Sequence, residues 1–209
     1  MKIQAENIVK KYGQRVVLNN FNILIESGEF MALMGESGCG KTTLVNILGL
    51  IDSEFEGVVK YDGKIISRSS DKRQILKNDI SFIFQNYGLI DNKTVEYNLS
   101  LLLNVKKMSK VERQEAINLA LSKVGLIDIL DKKVYELSGG EQQRVALSKV
   151  FLKKPKLIIA DEPTASLDSE NEKEVMQYFN EINQEGCTIV VVTHSATVAS
   201  YAKRTVKIE

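Results

Sequence analysis

The chain has 209 residues, 44% of them hydrophobic and 26% charged, a composition that suits a folded domain with a sizeable core. Lys and Arg total 28 against 27 Asp and Glu, so no strong positive field favours nucleic acid or an anionic membrane surface as a partner. No apolar run approaches the ~18 to 20 residues that cross a bilayer, and Met1 to Asn7 lacks a secretory apolar core. The expectation is a cytosolic protein in which Cys39 and Cys187, which lack metal-ligand spacing, are free thiols.

Phe21, Ile23 and Ile25 alternate in the strand period, and the apolar run Phe30-Met31-Ala32-Leu33-Met34 leads straight into a glycine loop. After the loop, Leu44, Ile47 and Leu48 share one face of a helix expected over Thr42 to Leu50. Val58 to Ile66 reads as a hairpin around Asp62-Gly63, a strong two-residue turn signal. Asp79 to Gln85 follows as a strand. Val95 to Val124 carries helical spacing interrupted near Met108-Ser109, where Ser109 can cap. Strands return at Lys156 to Asp161 and Thr188 to Thr193, with a helix over Ser169 to Asn183 between them. Apolar strands alternating with helices predict a parallel sheet covered on both faces. The only prolines are Pro155 and Pro163, and no repeat, low-complexity tract or flexible linker interrupts the chain, so one domain is expected.

Gly35-Glu36-Ser37-Gly38-Cys39-Gly40-Lys41-Thr42 matches G-x-x-x-x-G-K-[ST] in full, between a predicted strand and a predicted helix. Its glycines let backbone N–H groups turn inward around phosphate, and the helix N-terminus adds a positive dipole. Lys41 is expected to reach the β- and γ-phosphates and Thr42 to hold Mg²⁺. Cys39 occupies a variable position whose backbone matters most. The strand Leu157 to Asp161 delivers Asp161 at its C-terminal edge, where ligands of open α/β sheets bind, and Asp161 should orient the Mg²⁺ shell.

A third segment, Leu137-Ser138-Gly139-Gly140-Glu141-Gln142-Gln143-Arg144, has no obvious partner of its own. Together with the phosphate loop and Leu157 to Glu162, it resembles the ATP-binding cassette (ABC) ATPase family, in family order and over nearly the whole chain. The resemblance implies an α/β P-loop NTPase fold of the ABC ATPase type. That fold has a mixed sheet core, an N-terminal antiparallel β part and a helical subdomain at about residues 86–140, all within a single nucleotide-binding domain spanning 1–209.

The resemblance also implies roles. Gly35, Glu36, Ser37, Gly38, Cys39, Gly40, Lys41, Thr42 and Thr43 would wrap the phosphates of ATP, and Tyr12 would stack on adenine. Thr42, Asp161 and Gln85 would hold Mg²⁺. Glu162 would polarise the attacking water. His194 would contact that water and the γ-phosphate, and Gln85 would join the nucleotide to a transport partner. These three, with Lys41, form the catalytic set. Ser138, Gly139 and Gly140 would donate to the γ-phosphate of ATP held by the opposite protomer of an ATP-dependent homodimer. Asp168 is the acid of Ala165-Ser166-Leu167-Asp168, the loop that crosses that dimer interface.

The implied function is ATP hydrolysis powering export or extraction of a peptide, lipid-linked or hydrophobic substrate. A separate permease at the cytoplasmic face of the membrane would carry that substrate, and no nucleic acid is involved. Asn46 to Asp52 resembles the branch that serves macrolide exporters, lipoprotein-release systems, bacteriocin exporters and cell-division complexes. Ser148-Lys149, Tyr97 and Ala165-Ser166 depart from that branch's common pattern and remove no catalytic group. A cell-division-type ATPase that signals across the membrane without transport is the alternative. Soluble translation or repair ATPases usually carry paired cassettes or added modules. A nucleotide kinase would leave Leu137 to Arg144 and His194 unexplained. Tyr87, Leu89 and Ile90, beside polar Asn86, Asp91 and Asn92, suit a groove for a permease helix.

Overall fold

The computed structural model describes residues 1–66, 68–84, 87–103 and 108–208. From the N-terminus, β1 (Ile3–Tyr12) and β2 (Arg15–Ile25) pair antiparallel, with Ile3 opposite Ile25. β3 (Phe30–Gly35) runs into the glycine loop and α1 (Lys41–Leu48). The helix stops at Leu48, two residues short of the expected Leu50. A Cβ at Gly49 would strike the Phe82 ring, and Leu50 is left-handed with φ 62°. β4 (Glu56–Tyr61) returns antiparallel to β1 and passes through Asp62-Gly63, both at positive φ (48° and 78°), into β5 (Lys64–Ile65). This is the hairpin expected from the sequence. α2 (Ser69–Asn78) and β6 (Ile80–Ile83) follow.

The middle of the chain is helical: α3 (Val95–Leu103), α4 (Lys110–Ser122), a short 3₁₀ turn at Val134–Glu136, and α5 (Gly139–Lys153). The helical spacing over Val95 to Val124 is thus two helices, and Ser109 starts the second with a capping box to Glu112. The chain closes with β7 (Leu157–Asp161), α6 (Ser169–Gln184), β8 (Thr188–Val192), α7 (Ala196–Ser200) and β9 (Arg204–Ile208).

The fold divides into two compact units. The first comprises Met1–Phe82, Pro155–Glu162 and Phe179–Glu209. It holds an antiparallel sheet in the order β2-β1-β4-β5 and a five-stranded sheet in the order β6-β7-β8-β3-β9. In the latter, the pairs β7/β8, β8/β3 and β3/β9 are parallel. Every residue of β8 is buried, which explains its unbroken Thr-Ile-Val-Val-Val run: strands covered on both faces cannot alternate apolar with polar. Met31, Leu33, Leu157, Ile159, Val190 and Val192 lie on one face, in a core shared with Leu44 and Leu48 of α1 and Ile3, Ile8 and Ile25 of the antiparallel sheet. Phe30, one residue out of phase with Met31, turns to the other face and meets Phe179, with ring centroids 6.5 Å apart. Each such buried side chain contributes about 1.5–3 kcal/mol of transfer free energy. The core thereby fixes where the carboxyl ends of β3, β7 and β8 come out.

The second unit comprises Ile83–Lys154 and Pro163–Tyr178 and is built on α3, α4 and α5. Its polar anchor is Asn98, only 2% exposed. Asn98 accepts from the Ile90 N–H (2.8 Å) and donates to the carbonyls of Ile90 (3.2 Å) and Thr94 (3.0 Å). The Lys149 ammonium donates to the Gly88 carbonyl. Cys39 and Cys187 are free thiols, as expected, and burial pushes the Cys187 thiol up to about 12.

Gly57 lies in β4 at φ 106°, where an added Cβ would stand 2.6 Å from the Glu6 and Asn7 carbonyl oxygens of β1. Gly57→Ala is expected to cost roughly 2–5 kcal/mol through left-handed strain and strand displacement. In urea unfolding the midpoint should fall at unchanged slope, and a midpoint equal to wild type contradicts this account of the sheet. Burial pushes the Lys149 ammonium down from 10.5 to about 8. Between those two values the unfolded chain binds more protons than the folded one, so stability rises with pH. Lys149→Met should remove that rise from the stability profile above about pH 8. An unchanged profile would show that Lys149 is solvated.

Candidate active site

β3 ends at Gly35, and the loop that follows supplies Gly40 as the N-cap of α1 at φ 101°. A Cβ at Gly40 would stand 2.8 Å from Cγ1 of Val17, so the loop takes its curve only with glycine there. The first hydrogen bond of α1 runs from the Leu44 N–H to the Gly40 carbonyl (2.8 Å). The amides of Lys41, Thr42 and Thr43 therefore precede the helical ladder, and no acidic side chain occupies the first turn. The Lys41 ammonium, in a residue 7% exposed, donates back to the carbonyls of Gly35 (2.8 Å) and Glu36 (2.7 Å). These donors curve around one side of a cavity of about 340 Å³.

The opposite wall comes from the carboxyl ends of β7 and β8. Asp161, the last residue of β7, accepts from the Thr42 hydroxyl at 3.0 Å. Glu162 follows in a left-handed conformation, φ 48°, with its N–H bonded to the Val192 carbonyl at 3.0 Å. That backbone twist is costly for a non-glycine residue. It brings Oε1 of Glu162 to 3.5 Å from Nε2 of His194, just beyond β8. Burial raises the Glu162 pKa and the neighbouring Asp161 charge adds to this, while His194 and Lys41 act in the opposite direction. A carboxylate held partly desolvated, with an oxygen that makes no hydrogen bond among the described residues, is a competent proton acceptor.

Tyr12, at the end of β1, lines the same cavity and is 54% exposed. Ser37, Gly38, Gly40, Lys41, Thr42, Thr43, Asp161, Glu162 and His194 also line it, so one unit brings together most of the residues singled out in the sequence. Gly35, Glu36 and Cys39 belong to the loop but line a neighbouring cavity, also bordered by His194. Gln85 lies outside the described residues. Arg15 and Val17 escape sequence reading. Arg15 donates to the Gly38 carbonyl at 3.1 Å and lines the cavity, although nothing in its own sequence neighbourhood marks it.

The donor set fits a Mg-nucleotide. Backbone N–H groups at a helix N-terminus, a lysine and a glycine-walled curve suit a chain of phosphates. The adjacent Thr42 and Asp161 oxygens are hard ligands of the kind that Mg²⁺ takes alongside phosphate and water.

Ser138, Gly139 and Gly140 belong to the second unit. Ser138 is the N-cap of α5: its Oγ accepts from the Glu141 N–H (3.2 Å), and Glu141 accepts from the Ser138 N–H (2.8 Å). A hydroxyl that accepts in this way keeps its own proton free to donate. Added Cβ atoms would stand 3.4 Å from the Tyr87 hydroxyl at Gly139 and 3.1 Å from Asn171 at Gly140. Asp168 caps the start of α6, accepting from the N–H groups of Glu170 (3.1 Å) and Asn171 (2.9 Å).

Comparison with known proteins agrees with this geometry. The family model described as "ABC transporter" matches residues 18–165. The lipoprotein-releasing system ATP-binding protein LolD of Aquifex aeolicus is 40% identical, over 99% of this chain and 93% of its own. The bacitracin export ATP-binding protein BceA of Halalkalibacterium halodurans is 37% identical, over 99% of this chain and 85% of its own. Among solved structures, a dimeric post-hydrolysis state of the ATP-binding cassette MJ0796 bound to ADP and Pi superposes with a TM-score of 0.90 at 34% identity, covering 99% of this chain and 94% of that one. The chain belongs to the ABC transporter family, as an ATP-binding protein that hydrolyses ATP.

Proposed function

We propose that residues 1–209 form one nucleotide-binding cassette, with a helical part at about 86–140, that powers an exporter. The observation that carries this reading is the convergence on one cavity of Lys41, the Thr42–Asp161 pair and the Glu162–His194 pair. Lys41 exchanges the Gly35 and Glu36 carbonyls for the β- and γ-phosphates. The backbone of Gly35 to Thr43 wraps them, and Tyr12 carries the adenine. Thr42, Asp161 and Gln85 hold Mg²⁺, which when bound offsets phosphate charge. Glu162 accepts the proton of the attacking water, and His194 orients that water against the γ-phosphate.

The dimer of the MJ0796 cassette supports an ATP-dependent homodimer here. In it, Ser138, Gly139 and Gly140 at the positive end of α5 would meet the γ-phosphate held by the opposite protomer. The partner is a separate permease at the cytoplasmic face of the membrane. The names of LolD and BceA support a peptide, lipid-linked or hydrophobic substrate. The Tyr87 hydroxyl is paired with the Ser166 hydroxyl at 2.7 Å within its own unit, and Tyr87, Leu89 and Ile90, the last 42% exposed, would form the apolar side of the groove that meets the permease.

Glu162→Gln should lower turnover about 10²- to 10⁴-fold and accumulate an ATP-bound dimer in size-exclusion chromatography. In the nucleotide-free chain burial holds the Glu162 carboxyl above its ordinary range, as suits a group that takes up a proton. Wild-type turnover of the variant removes Glu162 from the proton-accepting role. Leu89→Glu should leave the basal ATPase of the isolated protein intact and abolish its stimulation by the reconstituted permease. Full stimulation would place the docking surface elsewhere.

A further inference from the structure

Near its end β1 is irregular: its pairing with β2 shifts between Ile8 and Lys10 and again between Lys10 and Lys11. Such steps re-aim side chains, and here they go with an unusual burial. Lys10 is 4% exposed, although lysine is almost never buried unless paired. Its ammonium lies 2.8 Å from one Asp52 oxygen and 3.1 Å from the other, and also donates to the Glu54 carbonyl. Asp52 is itself held, accepting from the Glu54 N–H at 2.8 Å while its own N–H donates to the Asn46 carbonyl of α1 at 3.0 Å.

The same ammonium stands over the Tyr12 ring, 5.0 Å from its centroid. Asp52 answers to Tyr12 as well. Burial pushes its carboxyl up, but hydrogen bonds from Lys10 and the Glu54 amide, the Lys10 charge and the Tyr12 side chain together bring it below the ordinary range. Tyr12 ends a strand and is 54% exposed. Left alone, its ring would lose rotamer freedom on stacking against a base. A cation fixed beneath it removes part of that loss beforehand. Asp52 follows α1, the helix that begins at the phosphate loop, so the contact also sets the ring in register with the phosphate donors at the other end of that helix.

We propose that Lys10 and Asp52 are positioning residues that hold Tyr12 as the platform for the adenine of ATP. This rests on the assignment of Tyr12 to the adenine. The pair thereby adds to the preference for an adenine nucleotide over bare polyphosphate, and not to phosphate affinity itself.

The test is isothermal titration with Mg-ATP and with Mg-tripolyphosphate on wild type, Tyr12→Ala, Lys10→Met and Lys10→Arg. Loss of the Lys10 charge weakens both ligands alike through the overall field, so the ratio of the two affinities isolates the platform. Tyr12→Ala should lower the ATP-over-tripolyphosphate ratio about 5- to 150-fold, the range of a base–aromatic stack. Lys10→Met should lower it about three- to tenfold, with Lys10→Arg restoring most of it. If the single replacement does not fold, Lys10→Met combined with Asp52→Asn leaves no charge buried alone and carries the same expectation. A ratio lost in Tyr12→Ala but unchanged in the Lys10 variants overturns the positioning role and leaves the platform standing. A ratio unchanged in Tyr12→Ala overturns the platform and the positioning role together. A lower melting temperature with an unchanged ratio marks the pair as purely structural and also overturns the proposal.

Discussion

The Lys41 ammonium sits in the first turn of α1, where unpaired backbone N–H groups already create positive potential. A cation at that end of a helix is unfavourable on its own, and it is only 7% exposed. The carbonyls of Gly35 and Glu36, at 2.8 and 2.7 Å, offset part of the cost. They are neutral acceptors and bring no net negative charge to balance the ammonium, whereas phosphate oxygens do. The loop therefore concentrates positive potential that a polyphosphate can satisfy better than the protein does. Gly40 is the geometric condition for this arrangement, because a side chain there would meet Val17.

The sheet brings acidic groups and a histidine to the same place as this loop. β3, β7 and β8 run parallel, so the loop after β3, Asp161 at the end of β7 and His194 after β8 emerge at the same edge. Strands buried on both faces leave the edge little room to shift, since closely packed interiors resist small displacements. Glu162 reaches His194 only through its left-handed turn at φ 48°. Strain of this kind persists where the surroundings over-determine it. Here the Glu162 N–H bonded to Val192 on the neighbouring strand supplies that constraint.

The parts legible in the sequence were those with a short-range physical signal. The phosphate loop, the Asp62-Gly63 turn, the Ser109 cap and the apolar runs of β3, β7 and β8 each follow from local sterics or from burial on two faces. α2 gave little signal because it buries no residue fully and only Ile75 and Leu76 pack against the core, too few apolar positions to set a 3.6-residue pattern. Arg15 and Val17 reach the cavity through pairing of β2 with β1, a tertiary consequence that residue type does not reveal. Lys10 is the sharpest case. In the sequence it looks like one of many surface lysines, whereas its burial depends on Asp52, forty-two positions away. The Ser138–Glu141 capping box is a further local signal, in which the hydroxyl that starts α5 accepts a hydrogen bond and retains its own proton.

The central claim is that each hydrolytic site joins the phosphate loop of one protomer to the α5 N-terminus of the other. Mixing two inactive proteins tests it most directly: Lys41→Ala, without the phosphate cation, and Ser138→Arg, with the α5 N-terminus blocked. Each homodimer carries a defect at both sites. In a mixed dimer arranged in trans, both defects fall on one site and the other is intact. The account predicts that ATPase activity, absent from either protein alone, returns on mixing. Sites built within one protomer would leave the mixture as inactive as its components, and that result would contradict it.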